Sequence, residues 1–114
     1  MKRLAFLGRS HADLAGFPEG PRRKAGYQLS RVQAGLEPDD WKPMPSIGTS
    51  AREIRVRDSA GAFRVVYVAT FADAVFVLHA FQKKSKKGIA TPKEEIDLIE
   101  KRLKDLIKEK DGRQ

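Results

Sequence analysis

Cysteine is absent from this 114-residue chain, and histidine occurs only at His11 and His79. No disulfide framework or thiolate zinc site can form, and a histidine-rich metal site is not expected, so any chemistry is expected to run without a metal or other cofactor. Long apolar runs are also missing. The longest, residues 74–81, contains His79 and falls far short of the roughly 20 residues that span a bilayer. Residues 4–7 follow Met1-Lys2-Arg3 but give way at once to Arg9 and His11, which is no signal-peptide core. A cytoplasmic protein with no membrane partner is expected. There is no internal repeat, and the one biased tract is a short lysine run at residues 83–87.

What is abundant is positive charge. The formal net charge is +8, with 33% of residues charged and 40% hydrophobic, a balance that suits one folded domain over residues 1–114. The excess is uneven: the net charge is +3 over residues 1–51, +5 over 52–87 and zero over 88–114. A basic middle points to a polyanion or an acidic protein as partner, although surplus lysine also serves solubility.

Periodicity organises the chain as β-α-α-β-β-β-α, an α+β fold with a small antiparallel sheet packed by two N-terminal helices and one C-terminal helix. Residues 2–7 read as a strand ended by Gly8. Ser10 is an expected N-cap, with Asp13 three residues on, for a short helix closed by Pro18. Pro21 suits the first turn of a second helix whose buried face would carry Ala25, Leu29, Val32 and Leu36. Pro38, Pro43, Pro45 and Gly48 break residues 37–50 into a connector, anchored by Trp41, Met44 and Ile47. From Glu53 the period becomes two, with Ile54 and Val56 on one face and Glu53, Arg55 and Arg57 on the other. A turn at residues 58–61 leads to strands over 62–70 and 74–82. Thr91, Pro92 and Glu94 predict a capped last helix with a stripe of Ile96, Ile99, Leu103, Leu106 and Ile107.

Arg55 and Arg57 share a strand face, and Arg64 follows on the next strand, so three guanidiniums can converge. Like charges held together repel, and a bridging phosphate is the natural relief. Such a cluster can stabilise the charge of a phosphorane; equally, these arginines can be solvated residues paired with Glu53, Asp58 or Asp73. Lys83 and Lys84 leave the last strand near the same patch, where neighbouring cations would depress a lysine pKa and fit it to carry a proton. Lys86 and Lys87 are phosphate contacts or plain surface charge. By alternation His79 shares a face with Val75, Val77 and Phe81, as a satisfied core residue or as an acid–base group. Phe63 and Phe81 can stack on a base or pack in the core. Tyr27 and Tyr67 read as core.

The run Arg52-Glu53-Ile54-Arg55-Val56-Arg57, then Phe63-Arg64-Val65-Val66-Tyr67, then VLHAFQKKSKKGIATPKEEI resembles the phage-related HigB-like branch of the RelE superfamily of toxin–antitoxin toxins. The Trp41-Lys42-Pro43 loop adds to the likeness, which covers most of the chain. The resemblance implies a RelE/ParE-like fold and a ribosome-dependent endoribonuclease that cuts messenger RNA by attack of its own 2′-hydroxyl, leaving a cyclic phosphate. On this chain Arg55, Arg64, Lys83, Lys84 and His79 would be catalytic, with Arg52, Arg57, Lys86, Lys87, Phe63 and Phe81 binding RNA. The implied partners are the ribosome, messenger RNA and a cognate antitoxin, typically acidic or of helix-turn-helix type. Some relatives carry a catalytic tyrosine after the last strand, and this chain has none there. Two other readings remain: a non-enzymatic ParE-like inhibitor of DNA gyrase, and a degenerate nucleic-acid-binding module.

Overall fold

The computed structural model describes residues 1–48, 50–84 and 91–112. Its elements are β1 (Arg3–Phe6), α1 (Ser10–Ala15), α2 (Glu19–Gln33), β2 (Trp41–Pro43), β3 (Ala51–Asp58), β4 (Gly61–Val68), β5 (Ala74–Lys83) and α3 (Lys93–Asp111). The fold is α+β, as the periodicity indicates. The strands form one sheet in the order β1-β5-β4-β3-β2.

Two features of the sheet correct the sequence reading. The sheet is mixed, because β1 runs parallel to β5, pairing Arg3 with Ala74 through Phe6 with Val77. The connector also contains a strand: β2 pairs antiparallel with β3, Trp41 opposite Ile54 and Pro43 opposite Arg52. Proline is tolerated there because β2 is the edge, where a missing N–H need not cost a ladder bond.

Each sheet face is covered. Ile54, Val56, Phe63, Val65, Tyr67, Val75 and Val77 pack with Leu14, Phe17, Ala25, Leu29 and Val32 of the N-terminal helical region. Ala51, Val66, Val68, Phe76, Leu78 and Phe81 pack with Met44 and with Ile99, Leu103 and Leu106 of α3. Between Val66 and Tyr67 the β4–β5 register slips, so that Val66 faces His79 while Tyr67 faces Val77. The extra residue, Leu78, makes a β-bulge, and the strand's facing reverses beyond it. Val75 and Val77 therefore point to the N-terminal helices, whereas His79 and Phe81 join the α3 side; the shared face expected for all four does not exist.

The helix termini also differ from expectation. Arg9 is the N-cap residue of α1, and Ser10 is wholly buried, its hydroxyl donating to the Val77 carbonyl at 3.1 Å. Pro92, not Thr91, is the N-cap residue of α3. Helix α2 ends in a Schellman turn, in which Leu36 N–H bonds Arg31 C=O and Gly35 N–H bonds Val32 C=O. Gly35 supplies the positive φ of 85° that this turn requires. The turn throws Leu36 out of the helical stripe and into solvent, and Tyr27 is exposed as well. No helix of the described residues is long and apolar enough to cross a membrane.

Candidate nucleic-acid interface

The register of β2 to β5 sets the polar residues of the α3 side in three rows. The first runs Lys42–Glu53–Val66–His79, the second Arg55–Arg64–Phe81, and the third Arg57–Ala62–Lys83. Arg55 and Arg64 are thus directly opposed, and by register the third row dips at Ala62, whose small side chain stands between Arg57 and Lys83; this dip is the notch. Arg64 borders that notch two residues further along β4, so cations stand on three sides of a residue too small to fill the space.

Arg64 lies at the centre. It is buried, its Nη1 donates to the Phe63 carbonyl at 3.1 Å, and its Nε is buried without a hydrogen-bond partner. Its pKa is lowered, first by burial and then by Arg55 and Arg57, while Glu53 and Asp40 act the other way. Arg55 is half-buried and gives both Nη2, at 2.8 Å, and Nε, at 2.9 Å, to Asp40 Oδ1. Arg57 is exposed. Lys83 ends β5, and its pKa is lowered by partial burial and by Arg64, Lys42 and Arg55, against an opposing pull from Glu53. Burial is the larger cause of this depression, and the cationic surrounding expected from the sequence adds to it.

Sequence reasoning had cast Glu53 as no more than a partner for solvated arginines, and the structure buries it. Its side chain is 2% exposed, 3.6 Å from Arg64 Nε and 4.0 Å from Lys42 Nζ, and it accepts a 3.4 Å hydrogen bond from the Thr91 hydroxyl. Alternation put Glu53 on the arginine face, but nothing local signalled that Thr91 would return over it. Thr91 therefore ties the start of α3 to the site instead of capping the helix. Lys42 and Asp40 reach the site because β2 forms in a segment read as a loop.

Other expected site residues lie elsewhere. Arg52 points to the opposite face, stacked 4.2 Å over Trp41 and 3.5 Å from Glu37. Phe63 is buried against Phe17, ring centroids 4.8 Å apart, and has no face to offer a base. Phe81 is on the notch side but buried, its ring stacked on His79 at 5.0 Å. Lys84 is exposed and borders a separate groove between α1 and the start of α3. Lys86 and Lys87 fall outside the described residues.

His79 does not face the notch with a free nitrogen. Its Nε2 lies 2.9 Å from Glu95 Oε1, and its Nδ1 lies 3.3 Å from Nη1 of Arg102, which also donates to the Leu78 carbonyl at 2.8 Å. An arginine only donates, so Nδ1 is the acceptor and Nε2 carries the proton toward Glu95. Both positions are used to bind α3. The geometry makes His79 a helix anchor, with both ring nitrogens engaged by α3 side chains.

By its register the notch can hold a tetrahedral anion among Arg57, Arg64 and Lys83, with the Glu53 carboxylate 3.6 Å from Arg64 Nε holding that guanidinium in place. Comparison with curated proteins gives no match. Residues 12–104 match the sequence profile of phage-derived Gp49-like proteins (DUF891), and over that span, most of its length, the chain belongs to this family of RelE/HigB-like toxin-type proteins.

Proposed function

We propose that this protein is the toxin of a type II toxin–antitoxin system, of the HigB-like branch, and that it cuts messenger RNA on the ribosome. The observation that carries the reading is the register that sets Ala62 between Arg57 and Lys83, with Arg64 two residues along the same strand face. Fixed cations aimed where negative charge develops are the largest single aid to phosphoryl chemistry. In this reading the 2′-oxygen attacks phosphorus and the bond to the 5′-oxygen breaks. Arg57 and Arg64 hold the equatorial oxygens, Lys83 gives a proton to the departing 5′-oxygen, and solvent takes the 2′ proton. Membership of a toxin-type family supports the same conclusion. A cognate antitoxin would neutralise the protein by covering the notch, in the cytoplasm where ribosomes are found.

The test is to add the purified protein to a translating extract and map the 5′ ends of a reporter message. Cuts confined to translated codons support the proposal. Intact message together with trapped gyrase cleavage complexes overturns it in favour of gyrase inhibition, and intact message alone leaves phosphate binding without cleavage.

A further inference from the structure

Of the three arginines of β3, only Arg52 lies on the sheet face turned away from the notch. It borders a separate cavity of about 400 Å³, formed where the end of α2 meets the start of β3 and the end of β4. Lys2, Gln33, Leu36, Glu37 and Tyr67 line it with Arg52. Tyr67 is 1% exposed; its hydroxyl makes no well-formed hydrogen bond among the described residues, yet it lies close enough to Arg52 that the guanidinium opposes the upward push of burial on its pKa. A buried hydroxyl left in that state costs about 1–3 kcal/mol. An occupant that accepts a hydrogen bond from it removes that cost.

The neighbours define the occupant's chemistry. The Arg52 guanidinium lies over the Trp41 ring, which fixes its plane, so that its N–H edge can meet a planar, two-oxygen acceptor once Glu37 moves aside. A carboxylate already visits: Glu37, from an exposed turn, stands 3.5 Å from Arg52 Nη1. A doubly charged phosphate is disfavoured, because Glu37 and the carbonyl end of α2 add negative charge beside the two cations, Lys2 and Arg52. Leu36, 53% exposed at the rim, suits an aliphatic body on the same ligand.

We propose that this cavity is a second ligand site, separate from the notch, that binds a carboxylate with aliphatic neighbours through Arg52 and Tyr67, displacing Glu37. The carboxylate comes either from a small organic acid or from a glutamate of a partner polypeptide. The proposal stands apart from RNA cleavage and does not depend on it.

Trp41 is the only tryptophan and touches Arg52, so its fluorescence reports occupancy. The intact protein is titrated with glutarate, with the peptide acetyl-Leu-Glu-Leu-amide, and with inorganic phosphate. Carboxylate probes give a saturable change, with phosphate weaker by about tenfold or more. Tighter binding of the peptide than of glutarate assigns a polypeptide source, and equal binding assigns a small acid. Tyr67→Phe, which removes the hydroxyl that donates to the bound carboxylate, weakens the carboxylate probes by about threefold or more. Glu37→Gln tightens them, because the resident competitor is lost. Arg52→Gln, followed by NMR of the Trp41 indole, abolishes binding. Absence of a saturable change, phosphate binding as tight as carboxylate, or unchanged binding in Arg52→Gln overturns the proposal.

Discussion

Glu53 and Arg64 occupy adjacent strands with 3.6 Å between Oε1 and Nε, their side chains 2% and 8% exposed. Two charges this dry are each stabilised by the other, and removing one strands its partner. Breaking such a pair costs about 3–5 kcal/mol, more than the pair itself contributes over an apolar substitute. Arg64→Ala is therefore expected to lower stability by about 3 kcal/mol, the lower end because Lys42 and Thr91 still attend Glu53. Adding Glu53→Gln restores part of that loss. Urea unfolding of the two variants checks the order, and equal stability of the single and double variants contradicts it.

The notch owes its space to Ala62. Ala62→Leu, at a half-buried position, fills it with an apolar side chain and leaves every cation in place. Cleavage of ribosome-bound message is expected to fall by about a hundredfold, equivalent to about 2.7 kcal/mol of lost transition-state binding, with the melting temperature near that of the wild type. Normal cutting by this variant would show that the substrate does not enter between Arg57 and Lys83.

Lys83 carries a prediction about pH and stability. Its folded pKa lies below its ordinary value, so folding favours the neutral form. The resulting penalty is fully present below the folded pKa and disappears as pH rises through the window between the folded and unfolded values. Lys83→Met should melt slightly higher than the wild type at pH 7, and the difference should shrink as the pH approaches that of free lysine. A difference that grows with pH reverses the sign and contradicts a lowered Lys83 pKa.

His79 is testable by its proton. With Nδ1 accepting from Arg102 and Nε2 donating to Glu95, ¹⁵N NMR at neutral pH should show the Nε2–H tautomer. Glu95→Gln and Arg102→Gln should each destabilise the docking of α3. A ring found as the Nδ1–H tautomer would break this assignment and return His79 to the candidates for proton transfer.

The sequence patterns carried the arginine rows further than the topology. Arg55, Arg57 and Arg64 obey strict alternation on one hairpin, and their shared face follows from the period and the turn at Asp58 alone. The β5 bulge was invisible, because residues 74–81 are apolar on both faces apart from His79 and no alternation exists to show a slipped residue. Glu53 looked solvated because its burial depends on Lys42 and Thr91, which arrive from 11 residues before it and 38 residues after it. Arg52 was read with its charged neighbours, although its even position already set it opposite Arg55 and Arg57. The strand at Trp41 is hidden in the sequence because prolines dominate the segment, and only edge position reconciles Pro43 with a ladder.

The proposed cleavage depends most directly on Arg57 and Lys83 gripping a phosphodiester. The deciding measurement is the rate at which Arg57→Ala/Lys83→Ala cleaves a ribosome-bound message, read beside its melting temperature. These side chains are exposed or half-exposed, so the fold should hold to within about 1 kcal/mol, while kcat/KM should fall by about a thousandfold or more. A double variant that melts like the wild type and cuts at the wild-type rate contradicts the account.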